Sequence, residues 1–383
     1  MREIFITNIY VGKVRHFRDV EIALSETERR HLILTGKNGS GKTSLLEAMR
    51  DSIFLRQKQN LQTLSSDERS VGYLHDGQQF TVTGYTGVNV HYSQEESVFA
   101  GSIFAYIPAE RTKLALPSSL EPMVIEAKTA ISRNASKDFL KYILSLDYQL
   151  YGAKSDGNKR LEANLEHWFD QFLAALRKIY DCETLRLQRD AKNLVFNIEM
   201  PDREPFGLHQ MADGYAAFLD IYMELLMRFE EAEAVVDYAK PAIVLIDEIE
   251  THMHVELQKR VLPFLTQMFP NVQFIVSTHS PFVITSLDNA VIFDLEKKER
   301  LENPSFYSYK TVVESFLDTD MYSERLKNYF DRYKALCFKD RTPEENEEFL
   351  QKKLKLEMMA LPSTELYIAF QNLENKRRAM SFL

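Results

Sequence analysis

Residues 36–43 read Gly36-Lys37-Asn38-Gly39-Ser40-Gly41-Lys42-Thr43, the order G-x-x-x-x-G-K-[ST]. Glycines at these points let successive backbone N–H groups turn inward around phosphate oxygens. A helix starting there would add its positive N-terminal dipole. Lys42 would reach the β- and γ-phosphates, and the Thr43 hydroxyl would hold Mg²⁺. A second chemical group closes the run Ala242-Ile243-Val244-Leu245-Ile246-Asp247-Glu248. Two carboxylates at the end of an apolar strand need partners, since a buried charge is costly alone. Asp247 could bind Mg²⁺ through water, and Glu248 could orient and polarise an attacking water. The third group is Ser277-Thr278-His279-Ser280-Pro281, which follows another apolar run. A histidine at the carboxyl end of a parallel strand faces the ligand crevice of an α/β sheet, where it could contact a γ-phosphate.

These groups need elements to position them. The apolar run at 31–35 (HLILT), bounded by charge on one side and Gly36 on the other, predicts a buried strand before the glycine-rich loop. Leu45, Leu46, Met49, Ile53 and Phe54 predict a helix over 43–56 after it. Strands are expected at 3–10, 20–24, 80–92 and 102–107. In the middle, Leu161, Leu165, Trp168, Phe169, Phe172, Leu176 and Ile179 form one wide apolar helical stripe. Residues 184–187 and 194–200 resemble a hairpin. The last third alternates: strand 242–247, helix 255–268, strand 272–277, short helix 281–287 and strand 291–295. Such alternation implies a parallel sheet covered on both faces. Beyond about residue 310 only helical patterns occur, one starting with acidic residues after Thr342-Pro343.

Composition sets the limits. In 383 residues, 45% are hydrophobic and 27% charged, which excludes a chain disordered throughout. No apolar run is long enough to span a bilayer. The two cysteines, Cys182 and Cys337, give neither a disulfide framework nor a zinc pattern, and the cytoplasm is the expected compartment. Net charge is −9, which argues against nucleic-acid binding by the overall field. The excess is local, however: residues 201–260 hold 13 acidic and 5 basic side chains.

In order and spacing, these motifs resemble the ATP-binding-cassette ATPases of the SMC and RecF type. Within that group the chain is similar to the family of ATPases found in OLD nucleases and in the Septu antiphage subunit PtuA. The resemblance rests on DEIETHMHVELQ (247–258), QFIVSTHSPFVI (273–284), HFRDVEI (16–22) and YIPAER (106–111), and covers about residues 1–300. It implies an α/β fold: an ABC-type P-loop nucleotide-binding domain with a β-rich subdomain near 70–107, a short helical lobe and a helical C-terminal extension. The expected domains are an N-lobe at 1–114, the helical lobe at 115–182, a C-lobe at 183–304 and the extension at 305–383. Between Thr43 and Met211 lie 167 residues, too few for an SMC-length arm.

The resemblance also implies site residues. ATP and Mg²⁺ are the expected ligands, with metal bound through Thr43 and Asp247. The signature motif falls on Met211-Ala212-Asp213-Gly214-Tyr215. In the family it caps the γ-phosphate bound by the other subunit of a dimer. The family's serine is Ala212 here, so one hydroxyl donor is missing and slow hydrolysis is expected. The Q-loop glutamine is replaced near Pro108 by Glu110 and Arg111, between which the sequence does not choose. Arg15 and His16 sit where the family's first turn approaches the base. Asp247, Glu250, His252 and His254 mimic a metal cluster, but the last three fall in the family's D-loop. Asp318-Thr319-Asp320 mimics a TOPRIM nuclease motif without the strands that fold needs.

The function implied is an ATP-gated sensor and scaffold in antiphage defence, working as an ATP-bound homodimer that controls a separate nuclease. The alternatives are a RecF-like DNA-repair clamp and, with less support, a transporter ATPase subunit. A clamp needs a basic stripe, for which Lys154, Lys159, Arg160, Arg177 and Lys178 are candidates. The stripe Leu326, Tyr329, Phe330, Tyr333 and Leu336 must bury itself against the ATPase body or a partner.

Overall fold

The computed structural model describes residues 4–57, 62–66, 70–75, 78–83, 87–93, 102–111, 114, 135–190, 195–313, 324–359 and 365–380. The contacts divide the chain into residues 1–317 and 318–383.

The first unit is built on a six-stranded sheet, with order β15-β14-β3-β13-β12-β8. Its strands are β3 (His31–Thr35), β8 (Ile103–Ile107), β12 (Ala242–Ile246), β13 (Val272–Ser277), β14 (Ala290–Asp294) and β15 (Glu299–Glu302). The first five are parallel, and β15 runs antiparallel at the edge. Every residue of β3, β8, β12, β13 and β14 is buried. A sheet covered on both faces requires that, and it explains why these strands read as near-continuous apolar runs.

Alternate residues feed two cores. Leu32, Leu34, Ile243, Leu245, Ile275 and Phe293 face α1 (Lys42–Gln57) and a three-stranded antiparallel sheet of β2 (Phe17–Ala23), β1 (Ile6–Val14) and β7 (Val88–Tyr92). Ile33, Val244, Ile246, Phe274 and Val276 face α4 (Asp213–Phe229), α5 (Val255–Met268) and the helical lobe. Gln273, fully buried, staples the two sheets: its Oε1 accepts from Ile6 N at 2.6 Å, and its Nε2 donates to Ile6 O at 2.9 Å and Arg30 O at 2.8 Å.

The β-rich region is partitioned differently from expectation. β4 (Gln62–Ser66), β5 (Ser70–His75) and β6 (Gln78–Thr83) form a separate antiparallel sheet, β7 joins β1, and β8 is an edge of the main sheet. The expected β-rich segment therefore divides among three sheets, because periodicity within a strand does not say which sheet it joins. The helical lobe contains α2 (Phe139–Asp156) and α3 (Lys159–Tyr180). Trp168 stacks on Phe172 at 5.4 Å, and Phe172 stacks on Tyr222 of α4 at 6.5 Å. The helical stripe thus binds the lobe to the signature helix. A hairpin of β9 (Arg186–Asp190) and β10 (Val195–Glu199), flanked by β11 (Phe206–Gly207), follows. Short helices α6 (Pro281–Ile284) and α7 (Tyr309–Thr311) complete this unit, and buried Val312 keeps the chain in its core beyond residue 305. Residues 318–320 lie outside the described residues.

The second unit contains α8 (Glu324–Cys337), α9 (Pro343–Met359) and α10 (Glu365–Met380). Tyr333 and Leu336 of the predicted stripe are fully buried, clustered with Phe349 and Leu356 of α9 and Phe370 of α10. Leu326, Tyr329 and Phe330 pack against that cluster. The stripe finds its cover inside its own three-helix unit, a choice that periodicity on one helix could not express.

Candidate nucleotide site

Four adjacent parallel strands deliver the site. In register, Ile107, Ile246 and Val276 stand side by side, and Ser277 pairs with Leu34. The segments that leave β3, β12, β13 and β8 therefore begin at one level of one sheet edge. These are the phosphate loop, Asp247-Glu248, Thr278-His279 and Pro108–Arg111. In an open α/β sheet this carboxyl edge is where ligands bind.

The phosphate loop has the backbone its glycines predict, with φ of 132° at Gly36, 81° at Gly39 and 92° at Gly41. Gly41 is obligatory for a second reason: a Cβ there would stand 2.5 Å from Phe17 Cε2. The loop ends directly in α1, with Leu45 N donating to Gly41 O at 2.9 Å. Lys42 is buried and folds back to donate to Gly36 O at 3.0 Å and Lys37 O at 3.2 Å. Burial lowers its pKa, opposed by Glu248, Asp247, Glu250 and Asp294. Ser40 is buried, and its Oγ has no hydrogen-bond partner among the described residues. Glycines in the left-handed region, an orphaned hydroxyl and an ammonium parked on the loop's own carbonyls all fit a phosphate chain. Lys37, Asn38, Gly39 and Thr43 are exposed on the loop, leaving the Thr43 hydroxyl open to a metal. Lys37 also pairs with Glu296 at 3.0 Å.

Asp247 is 1% exposed, and its Oδ1 accepts from Ser277 Oγ at 2.5 Å. The same Ser277 Oγ accepts from Glu248 N at 2.7 Å. Glu248 adopts φ 42°, left-handed for a residue with a side chain, and its Oε2 accepts from Thr251 Oγ1 at 3.4 Å. His279 is half-buried, and its backbone N donates to Glu250 Oε1 at 2.6 Å. Burial lowers the His279 pKa and the nearby Lys42 charge lowers it further, with Glu250, Glu248 and Asp247 opposing. Glu250 is thus engaged in placing His279.

Of the two residues in the Q-loop position, Glu110 is exposed, whereas Arg111 reaches inward. Arg111 donates to Asp247 O and Glu248 O, both at 2.9 Å, and also to Pro108 O. Burial depresses its pKa, with Asp220 and the three site carboxylates opposing. The signal for it was present: a cation placed right after a buried strand's carboxyl end. Ser277 and Glu250 carried no such signal, since their roles depend on which strand lies beside which.

The remaining expected residues fall into two places. The β1–β2 turn carries Arg15 at φ 51°, and the His16 ring packs on Phe17 at 4.3 Å. The His16 Cε1 lies 3.5 Å from where a Gly41 Cβ would be, so this turn flanks the phosphate loop. The expected signature segment packs closely on residues 252–253: a Cβ on Gly214 would stand 3.1 Å from His252 O and 3.6 Å from Met253 Cα. Ala212 and Asp213 are exposed at the start of α4, with Ala212 as N-cap, where no side-chain cap bond forms.

Comparison with known proteins agrees in type. The family described as "AAA domain, putative AbiEii toxin, Type IV TA system" matches residues 102–285. Septu protein PtuA of Bacillus mycoides is 24% identical over 355 residues, 87% of this chain and 47% of PtuA. The "Retron Ec83 probable ATPase" of Escherichia coli is 27% identical over 154 residues, covering 40% of this chain and 28% of its own. Among solved structures, the SMC head domain from Thermotoga maritima is 15% identical, covers 77% of this chain and 94% of the head, and gives a TM-score of 0.39. The chain spans about half or less of the length of these two curated relatives. The phosphate loop at the carboxyl edge of a parallel sheet is that of a nucleotide-binding α/β fold. In sequence the chain is similar to Septu PtuA and to the retron ATPases.

Proposed function

We propose that this chain binds and hydrolyses Mg²⁺-ATP, and that ATP-dependent pairing of two copies controls a partner nuclease in antiphage defence inside the bacterial cytoplasm. The observation that carries the ATPase reading is the convergence of Lys42, Asp247, Glu248 and His279 at the carboxyl ends of three neighbouring parallel strands. Lys42 holds the β- and γ-phosphates. Thr43 and Asp247 would hold Mg²⁺, which would supply charge neutralisation to the phosphates. Glu248 accepts the proton of the attacking water, and His279 donates to the γ-phosphate. Ala212, Asp213 and Gly214 present the start of α4 to the nucleotide held by the other copy, while Arg15 and His16 border the base. The defence role rests on the resemblance to PtuA. No helix among the described residues is long and apolar enough to cross a membrane.

The DNA-clamp reading is less well supported. Lys154 pairs with Glu166 at 2.8 Å, Lys159 with Glu162 at 2.8 Å and Arg160 with Glu233 at 3.2 Å, which neutralises much of the basic stripe. A single experiment separates the readings. The tagged chain and its Glu248→Gln variant are purified with Mg²⁺-ATP and their neighbouring gene product. ATP binding by both, hydrolysis only by the wild type, a doubled mass for the variant and a co-purifying nuclease are expected. Stable capture of duplex DNA with no protein partner would favour the clamp.

A further inference from the structure

We propose that Arg111 is a positioning residue for hydrolysis, strapping the Asp247–Glu248 turn into its working shape. This rests on reading Glu248 as the hydrolytic base. The first observation is geometric: one guanidinium donates to the two successive carbonyls of Asp247 and Glu248, both at 2.9 Å, and to Pro108 O on the neighbouring strand's exit. A planar fork of donors matches such a set, and an ammonium does not. The second is conformational. Glu248 has φ 42°, a region that side-chain-bearing residues avoid unless their surroundings fix them. Its amide is bound by Ser277 Oγ and its carbonyl by Arg111, so the peptide groups on both sides of the carboxylate are fixed. Without Arg111, the Asp247 carbonyl loses its guanidinium donor and the Glu248 carbonyl keeps the Thr251 amide at 3.0 Å, so the turn is held more loosely in the left-handed region.

The third observation gives direction. Asp220 of α4 is 2% exposed and is the acid with the largest opposing effect on the Arg111 pKa. Asp220 Oδ1 accepts from Ser136 Oγ at 2.5 Å, and Glu224, one turn on, accepts from Ser136 N at 3.0 Å. Ser136 stands at the entry to α2. Asp220 and Glu224 of α4 thus hold the entry to α2, and the buried Asp220 charge favours the Arg111 cation.

The test uses the full chain as wild type, Arg111→Ala, Arg111→Lys and Glu248→Gln. ATP affinity, kcat, and amide exchange of residues 248–251 are measured. Arg111→Ala should bind ATP within a few-fold of wild type while kcat falls about 100-fold, the cost of a base displaced by about 1 Å. Added guanidinium ion should restore part of that kcat, and none in Glu248→Gln. Arg111→Lys keeps the charge but not the fork and should remain about 10-fold or more down, a second reading if Arg111→Ala folds poorly. Exchange at 248–251 should quicken in both Arg111 variants and not elsewhere on the sheet. Wild-type kcat and unchanged exchange in the Arg111 variants, with Glu248→Gln inactive, would overturn the proposal alone. Equal hydrolysis by wild type and Glu248→Gln would instead remove Glu248 as base, and the exchange data would then decide whether Arg111 fixes the turn.

Discussion

Ser277 Oγ, at the end of β13, donates to Asp247 Oδ1 at 2.5 Å across to the end of β12. One hydroxyl thus fixes the acid expected to bind metal. By accepting from Glu248 N at 2.7 Å, it also fixes the backbone of the acid expected to activate water. Ser277→Ala should leave ATP binding nearly intact and cut kcat by roughly 10- to 100-fold. Losing a partner to a buried carboxylate should also cost about 1–3 kcal/mol of stability. Steady-state kinetics and thermal melts check both, and an unchanged kcat would show that the two acids hold their places without it.

Lys42→Ala should abolish measurable ATP binding. It removes the ammonium on the β/γ-phosphates, and the Gly36 carbonyl loses the Lys42 donor while Lys37 O keeps the Ser40 amide. Equilibrium binding reads this directly. Retained affinity would move the nucleotide to another site.

Gly41→Ala tests the loop by a different route. The new Cβ meets Phe17 Cε2 at 2.5 Å, on a backbone with φ 92°. Strain of this kind costs about 1–3 kcal/mol, and the Phe17 ring must move as well. Lower melting temperature and weakened ATP binding should appear together. The double change Phe17→Ala/Gly41→Ala should recover only the part due to the clash.

Ala212→Ser restores a hydroxyl at an exposed helix N-cap that has no side-chain cap bond. If that hydroxyl reaches a γ-phosphate only in the transition state, turnover should rise by about 10- to 150-fold, equivalent to roughly 1.5–3 kcal/mol. A capping gain of about 1 kcal/mol in stability is expected regardless. Stability rising without any gain in turnover would mean that the backbone amides of α4 already suffice.

The C-terminal helices carry a pH dependence. Burial pushes the Glu374 carboxyl up, yet hydrogen bonds from Arg377, Tyr333 and Lys353 outweigh it and hold its pKa down to about 2. A depressed carboxyl stabilises the fold above its unfolded pKa, and that contribution is lost as pH falls from about 4.5 towards 2. At neutral pH the contribution is roughly 3 kcal/mol. Glu374→Gln should therefore lower the melting temperature of the full chain at neutral pH, with the gap to wild type closing below about pH 4. A gap independent of pH would assign the loss to packing.

Local chemistry was legible in the sequence. The phosphate loop is decided by Gly36, Gly39, Gly41 and Lys42 at their spacing, and β3, α5 and β13 match closely because a buried parallel strand must be nearly all apolar while a helix shows its period. Strand–helix alternation fixed the parallel sheet for the same reason. The sequence also showed that Ala212 departs from the signature and that a cation follows β8.

What only the tertiary structure decided is which groups face one another across elements. Arg111 rather than Glu110 turns inward because β8 lies beside β12, so the Asp247 and Glu248 carbonyls are its neighbours. Ser277 is a bridge because β13 lies on the other side of β12. The stripe of α8 is covered by α9 and α10, and the β-rich segment divides among three sheets. Periodicity states that a face must be buried, but not against what. Hydrogen bonds between strands far apart in sequence are set by sheet order, which no window of residues contains.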